Sequence, residues 1–232
     1  INMKDVNLGD RIFYAILWLG GIGLVGLLTG IVWELFDHSV PVFRHFGLGF
    51  ITSKNWDPVN EDFGLLAFAF GTIVSSLIAL LIAGPLSVGV AVFLTELAPQ
   101  RVGQVVGFLV EMLAAIPSVV YGLWGIFFLA PWLREAVQPF LGEYLGFLPL
   151  FQGPPYGIGM LAAGMILAIM ITPTVASVSR EVFRSVSVTY REAALALGAT
   201  RWETIRLAVL KASKSGMLVA LLLGFWRALG ET

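Results

Sequence analysis

The sequence predicts an all-α, polytopic transmembrane helical bundle, and three observations carry that reading. The 232 residues are 58% hydrophobic and 12% charged, with a mean hydropathy of +0.88, whereas a soluble domain averages about 25% charged residues. Several apolar runs reach or exceed the roughly 20 residues that cross a bilayer as a helix. Seven of the 14 Lys and Arg residues fall in one polar stretch, Ser179 to Ser215, and basic clusters between apolar spans are retained on the cytoplasmic side during insertion.

The first apolar run, Ile12 to about Trp33, follows Lys4 and Arg11. It is longer than the apolar core of a signal peptide and has no small-residue cleavage site, so it reads as a retained span. The polar segment Glu34 to Asp62 is acidic on balance and is expected outside. The second run, Gly64 to Leu97, is too long for one upright helix and contains Gly84-Pro85. Proline removes a backbone donor, so Pro85 is an expected hinge.

A turn at Pro99, Gln100 and Arg101 leads to the third run, about Val105 to Ala130, interrupted by Pro117, the second expected hinge. Pro131 to Pro155, rich in Pro and Gly, is expected outside. Tyr156 to Val178 makes a fourth span, the basic loop 179–215 follows, and a fifth apolar run occupies 217–232. The chain is thus expected to form one transmembrane domain. Lys4, Arg11, Arg101 and the seven loop residues lie on the inner side of this threading, and Arg44, Lys54 and Arg134 on the outer. That asymmetry predicts a cytoplasmic N-terminus.

Composition narrows the function classes. A formal net charge of −1 gives no general basic surface for nucleic acid, because the basic excess is local to one face. The absence of cysteine excludes disulfides and thiolate metal sites. His38 and His45 lack the spacing of metal ligands, and no nucleophile and base or paired catalytic carboxylates stand out. The sequence argues against an integral membrane enzyme.

Within the basic loop, Thr189 to Gly198 reads as a short helix, with a cap at Thr189, Glu192 three residues on, and Gly198 as its stop. Ala193, Ala194 and Ala196 carry little bulk, so a partner surface can approach the backbone closely. The chain holds no G-x-x-x-x-G-K-[ST] loop, so it has no such cradle for nucleotide phosphates, and any ATP energy would have to arrive through another subunit.

Arg227, Glu231 and Glu111 are charges set within apolar runs. Arg227 and Glu231 are four residues apart on one helix face, where they can pair. A central charge costs roughly 2.5 to 3.5 kcal/mol on insertion scales, so it normally faces a partner or an aqueous path. The pair is either a structural lock or a polar element of an anion pathway. Glu111, about two turns into the third run, poses the same choice. For most of Thr72, Ser75, Ser76, Thr172 and Thr174, interhelical hydrogen bonding is expected.

Glu192-Ala193-Ala194 followed by Gly198 resembles the EAA loop of ABC-importer permeases. The tail departs from the family pattern, with Ala208, Leu210 and Lys211 where the family carries Ile-x-Leu-Pro. A narrower resemblance runs over Phe93 to Pro99, the string Ala115-Ile116-Pro117-Ser118-Val119-Val120-Tyr121-Gly122, and Arg227-Ala228-Leu229-Gly230-Glu231-Thr232. These look like the phosphate-specific permeases of the PstC type.

The resemblance implies a type I ABC-importer permease in a prokaryotic inner membrane, with six spans, the sixth expected beyond Thr232. It implies a homologous second permease, two nucleotide-binding subunits that use the ATP, an external phosphate-binding protein and surrounding lipid, with no cofactor on this chain. Arg191, Glu192, Ala193, Ala194 and Gly198 would then couple to the ATPase, and Arg227, Glu231 and Glu111 would line the substrate path. A permease for another oxyanion, such as molybdate or sulfate, and a non-conducting structural or signalling subunit remain open alternatives.

Overall fold

The computed structural model describes residues 8–147 and 154–232, so Lys4 and part of the segment expected outside fall beyond the described residues. The described chain is almost wholly helical. Its long helices are α1 (Leu8–Phe46), α3 (Leu66–Leu97), α4 (Gln100–Ala114), α5 (Ser118–Tyr144), α6 (Met160–Ser185), α7 (Val188–Ala196), α8 (Arg201–Leu210) and α9 (Lys214–Glu231). A short α2 (Gly49–Thr52) and a two-stranded hairpin, β1 (Trp56–Asp57) and β2 (Asp62–Phe63), lie between α1 and α3. Helices α1, α3 and α6 are each long and apolar enough to cross a membrane. The bent pairs α4/α5 and α8/α9 raise the number of spans to five if each pair is one span.

The chain forms two compact units that divide after Phe68. In the first, α1 has 39 residues, about 58 Å at 1.5 Å per residue, against a hydrocarbon thickness of about 30 Å. It continues to Phe46 through residues whose polarity reads as loop. Local bonds sustain the extra turns: His38 pairs with Glu34 at 3.1 Å, and the Ser39 hydroxyl donates to the Leu35 carbonyl at 2.6 Å. In the hairpin turn the Asp57 carboxylate accepts from the Val59 and Asn60 backbone N–H groups at 3.0 and 3.3 Å and from the Asn60 side chain at 2.6 Å. Those bonds, the Asn60 side chain first, hold its carboxyl below the usual range.

The second unit is built around α6, which has buried residues along its length from Ala162 to Phe183. Near its middle, Leu167, Ala168, Met170 and Ile171 pack with Ala79 and Ala83 of α3 and Ala228 of α9. Toward its C-terminus, Phe183 joins Ala91, Val92, Ile205 and Val209. Toward its N-terminus, Ala162 meets Leu129 and Leu133 of α5.

Helix α3 turns a row of small residues at four-residue spacing, Ser75, Ala79, Ala83, Ser87 and Ala91, into this core, all buried. In lipid, helices gain little from hiding apolar surface, so close backbone approach through small residues and interhelical hydrogen bonds decide the packing. Ser87 accordingly donates to the Thr172 carbonyl of α6 at 3.0 Å. Glycines of α9 serve the α6 crossing in the same way: a methyl at Gly216 would overlap Val182, and one at Gly224 would overlap Val175.

The two expected hinge prolines lie in different settings. Helix α3 passes through Pro85 as one continuous element. At Pro117 the helix breaks, and α4 and α5 meet at 87°. The third apolar run is therefore carried by two helices, and the first residues of the basic loop, up to Ser185, belong to α6.

Candidate functional site

Helix α7 is shaped by caps at both ends. The Ser187 hydroxyl accepts from the Thr189 backbone N–H, so the N-cap sits two residues before the Thr189 expected from sequence. At the other end the Gly198 N–H bonds the Leu195 carbonyl at 2.9 Å and the Ala199 N–H bonds the Ala194 carbonyl at 3.1 Å. This is a Schellman closure, and it requires a left-handed residue at the turn. Gly198 supplies it with φ of 84°, and a methyl there would meet no atom within 4 Å.

Two residues later Thr200 opens α8 with a capping box. Its hydroxyl accepts from the Glu203 N–H at 3.3 Å, while the Glu203 carboxylate accepts from the Thr200 N–H at 2.8 Å. The N–H bond, followed by one from the Thr200 hydroxyl, keeps the Glu203 carboxyl below its ordinary range.

Glu192 and Ala193 are exposed and Ala194 half-buried. Around them Val188, Tyr190, Leu195 and Leu197 also face outward, Leu197 at 90% exposure. The Arg191 side chain turns inward. Its Nη2 and Nε donate to the two Glu96 carboxylate oxygens at 2.8 and 3.3 Å, and further N–H groups reach the Phe183 and Val186 carbonyls at the end of α6. A helix C-terminus is a natural seat for a cation. The clamp joins α7 to the ends of α3 and α6 at once.

In the second cluster Arg180 of α6 donates from Nη1 to Glu111 Oε1 of α4 at 2.9 Å, with side-chain exposures of 9% and 51%. The guanidinium lies against Gly107, one turn before Glu111, where any Cβ would overlap it. In the third, Arg227 of α9 donates to the Thr174 hydroxyl of α6. Arg227 and Glu231 form no ion pair; those present among the described residues are Glu34–His38, Glu111–Arg180, Glu181–Arg184 and Glu96–Arg191. Glu231 instead borders a cavity of about 300 Å³ with Ser118, Gly122, Leu167, Met170 and Thr232.

All three clusters converge on α6. Sequence reasoning missed Glu96 and Arg180: the first ends a long apolar run, and the second was counted with the loop charges. No group of three or more His, Asp or Glu able to hold a metal occurs among the described residues.

Comparison with known proteins matches residues 84–232 to the family of binding-protein-dependent transport system inner membrane components. The chain belongs to this family. It is 44% identical over 99% of its length to the phosphate transport system permease protein PstC of Mesorhizobium japonicum, covering 72% of that relative. The like-named proteins of Pasteurella multocida and Xylella fastidiosa are 45% and 48% identical over 89% and 80% of the chain, which covers 66% and 59% of their lengths. The resemblance to PstC-type permeases read from the sequence is borne out by these relatives. As an inner membrane component, the chain is multi-pass, in agreement with its apolar helices. The family region contains all three clusters, from Glu96 to Glu231.

Proposed function

We propose that the chain is the permease subunit of an ATP-binding-cassette importer that carries inorganic phosphate inward, and that a partner subunit hydrolyses the ATP. The coupling loop carries the reading. Helix α7 offers Val188, Tyr190, Leu195 and Leu197 outward while Arg191 ties its base to α3 and α6. An exposed apolar patch with a polar rim is an interaction surface, and one tied to two membrane helices can transmit displacement. The name shared by the relatives, phosphate transport system permease protein, supports phosphate over molybdate or sulfate.

The partners are two nucleotide-binding subunits seated on the loop, a homologous second permease, and an external binding protein that delivers phosphate. The N-terminus is cytoplasmic. Closure of the nucleotide-binding pair moves α7, and the Arg191 clamp passes that movement to α6. Helix α6 holds Arg227 through Thr174, so its movement re-presents a cation to the two faces of the membrane in turn. Glu231, four residues beyond Arg227, prevents that cation from retaining the anion too tightly. Such a switch works by biasing one of two packed arrangements.

The test is ATP-dependent uptake of radiolabelled phosphate into vesicles holding the full-length chain and its partners, for wild type and Arg227→Ala at equal abundance. Loss of uptake with ATP hydrolysis retained supports Arg227 in the anion path. Unchanged uptake reduces Arg227 to a structural residue, and absence of phosphate uptake by wild type overturns the phosphate reading.

A further inference from the structure

We propose that Arg180 is a second oxyanion station, inward of Arg227, with Glu111 as its displaceable counter-anion; the inference rests on the phosphate-importer reading. The positions are set by one helix. Thr174, which holds Arg227, and Arg180 are six residues apart on α6, about 9 Å along its axis at 1.5 Å per residue. Arg180 is five residues from the end of α6 at Ser185, so it lies on the cytoplasmic side of Thr174 in the proposed topology. At about 100° per residue the two positions lie about 120° apart around α6, Thr174 toward α9 and Arg180 toward α4, so Arg180 would take up an anion that has passed from the α9 side of the helix to its α4 side.

The local geometry favours a station over a simple lock. Arg180 is 9% exposed and its Nε, fully buried, has no hydrogen-bond partner among the described residues. A guanidinium offers five N–H donors in a planar fork suited to two oxygens of one tetrahedral anion, and here, among the described residues, a single carboxylate contact engages it. An unmade bond at a buried donor is costly, and such groups in native structures call for a partner or a functional role.

The pair is also lopsided. The cation is buried while its carboxylate is half exposed, so the anion is the member that an incoming oxyanion can replace from the open side. The guanidinium also lies against Gly107, where an added Cβ would overlap Nη1 unless the arginine shifted. Glu111 stands one turn further on that same face of α4, close enough to neutralise the empty station and to eject its cargo by returning. A permanent lock needs neither the idle Nε nor an accessible carboxylate.

The test uses the full-length complex in vesicles, with inorganic phosphate as the probe and uptake normalised to assembled complex. The variants are Arg180→Gln, Arg180→Lys, Glu111→Gln and the double exchange Arg180→Glu with Glu111→Arg. A station predicts that Arg180→Gln assembles, hydrolyses ATP and loses uptake by about tenfold or more, equivalent to about 1.4 kcal/mol in the barrier. Glu111→Gln, which keeps an acceptor for Nη1 but no charge to displace the cargo, should assemble and carry phosphate with altered saturation and slower turnover. The double exchange should not restore transport, because the cation has left the buried notch.

Wild-type uptake by Arg180→Gln overturns the station, as does a loss rescued by the double exchange, since a lock needs only opposite charges. If Arg180→Gln does not assemble, Arg180→Lys decides: a raised half-saturation for phosphate supports the station, and wild-type saturation overturns it. A defect confined to vesicles rich in anionic phospholipid assigns the cation to a lipid headgroup and overturns the transport role. Failure of the wild type to carry phosphate is a separate result, directed at the importer reading.

Discussion

Arg191 bridges 95 residues of sequence to close a two-pronged ion pair on Glu96, and with its remaining donors it holds the last carbonyls of α6. One side chain thus fastens the cytoplasmic loop to two membrane helices. Arg191→Ala leaves a largely buried carboxylate without its partner, and breaking such a pair from one side costs about 3 kcal/mol. We expect a lower melting midpoint of the complex and fewer phosphate ions moved per ATP. Arg191→Lys should recover part of the stability and little of the coupling, because an ammonium cannot reproduce the fork. Equal uptake per ATP in all three proteins would dismiss the clamp as a transmitter.

Gly198 permits a graded test of the loop's shape. A methyl there has open space, so the penalty in Gly198→Ala is purely that of a left-handed backbone, about 1 kcal/mol. Gly198→Arg adds bulk to the outward face. Gly198→Ala should retain most uptake, whereas Gly198→Arg should hydrolyse ATP without importing phosphate. Normal import by the arginine variant, at wild-type membrane abundance, would refute docking at this surface.

The capping box at Thr200 makes the start of α8 acid-sensitive. The folded Glu203 carboxyl titrates below its unfolded counterpart, so its contribution is fully present above the unfolded value near about 4.3. It is lost as pH falls through the folded value. Hydrogen exchange at the Thr200 and Glu203 amides should be protected at neutral pH and quicken relative to intrinsic rates on acidification. Thr200→Ala should abolish the Glu203 protection, and a pH-independent ratio in the wild type would count against the box.

Thr174 gives a softer probe of the intramembrane cation than Arg227 itself. Thr174→Val keeps shape and removes the hydroxyl, a bond to a charged group worth about 1.5 to 3 kcal/mol. Uptake should fall, less than in Arg227→Ala, and Thr174→Ser should restore it. Thr174→Val matching the wild type would show that the hydroxyl does not position the guanidinium.

The α6–α9 crossing should resist added volume. At Gly224 a methyl would overlap Val175, and overpacking costs typically about 1 to 3 kcal/mol. Gly224→Val should therefore lower the yield and melting midpoint of the assembled complex. An unchanged midpoint would mean that the helices part there at no cost.

Much of this was legible in the residues. Long apolar runs and a basic loop foretold the helical bundle, and Glu192-Ala193-Ala194 with Gly198 foretold a short, abruptly ended helix. Glu111 declared itself as a misplaced charge, but its partner did not. Arg180 sits one residue into the basic stretch, and hydropathy cannot tell a cation on the last buried turn of a helix from one in solvent; only packing against Gly107 separates them. Arg227 and Glu231 have the right spacing to pair, yet tertiary contact with Thr174 diverts the arginine. The break at Pro117 and the continuous passage through Pro85 arise from the same residue type, so residue identity alone does not distinguish them.

Because α6 addresses α9 through Thr174, α4 through Arg180 and the loop through its final carbonyls, its ruler is fixed. One residue inserted between Thr174 and Arg180 would turn everything beyond it by about 100° and advance it by about 1.5 Å. The outer contact would survive while Arg180 swung away from Glu111 and the carbonyls from Arg191. Length variation among descendants of this chain should therefore collect in the connections between helices and be purged from the twenty-six residues of α6.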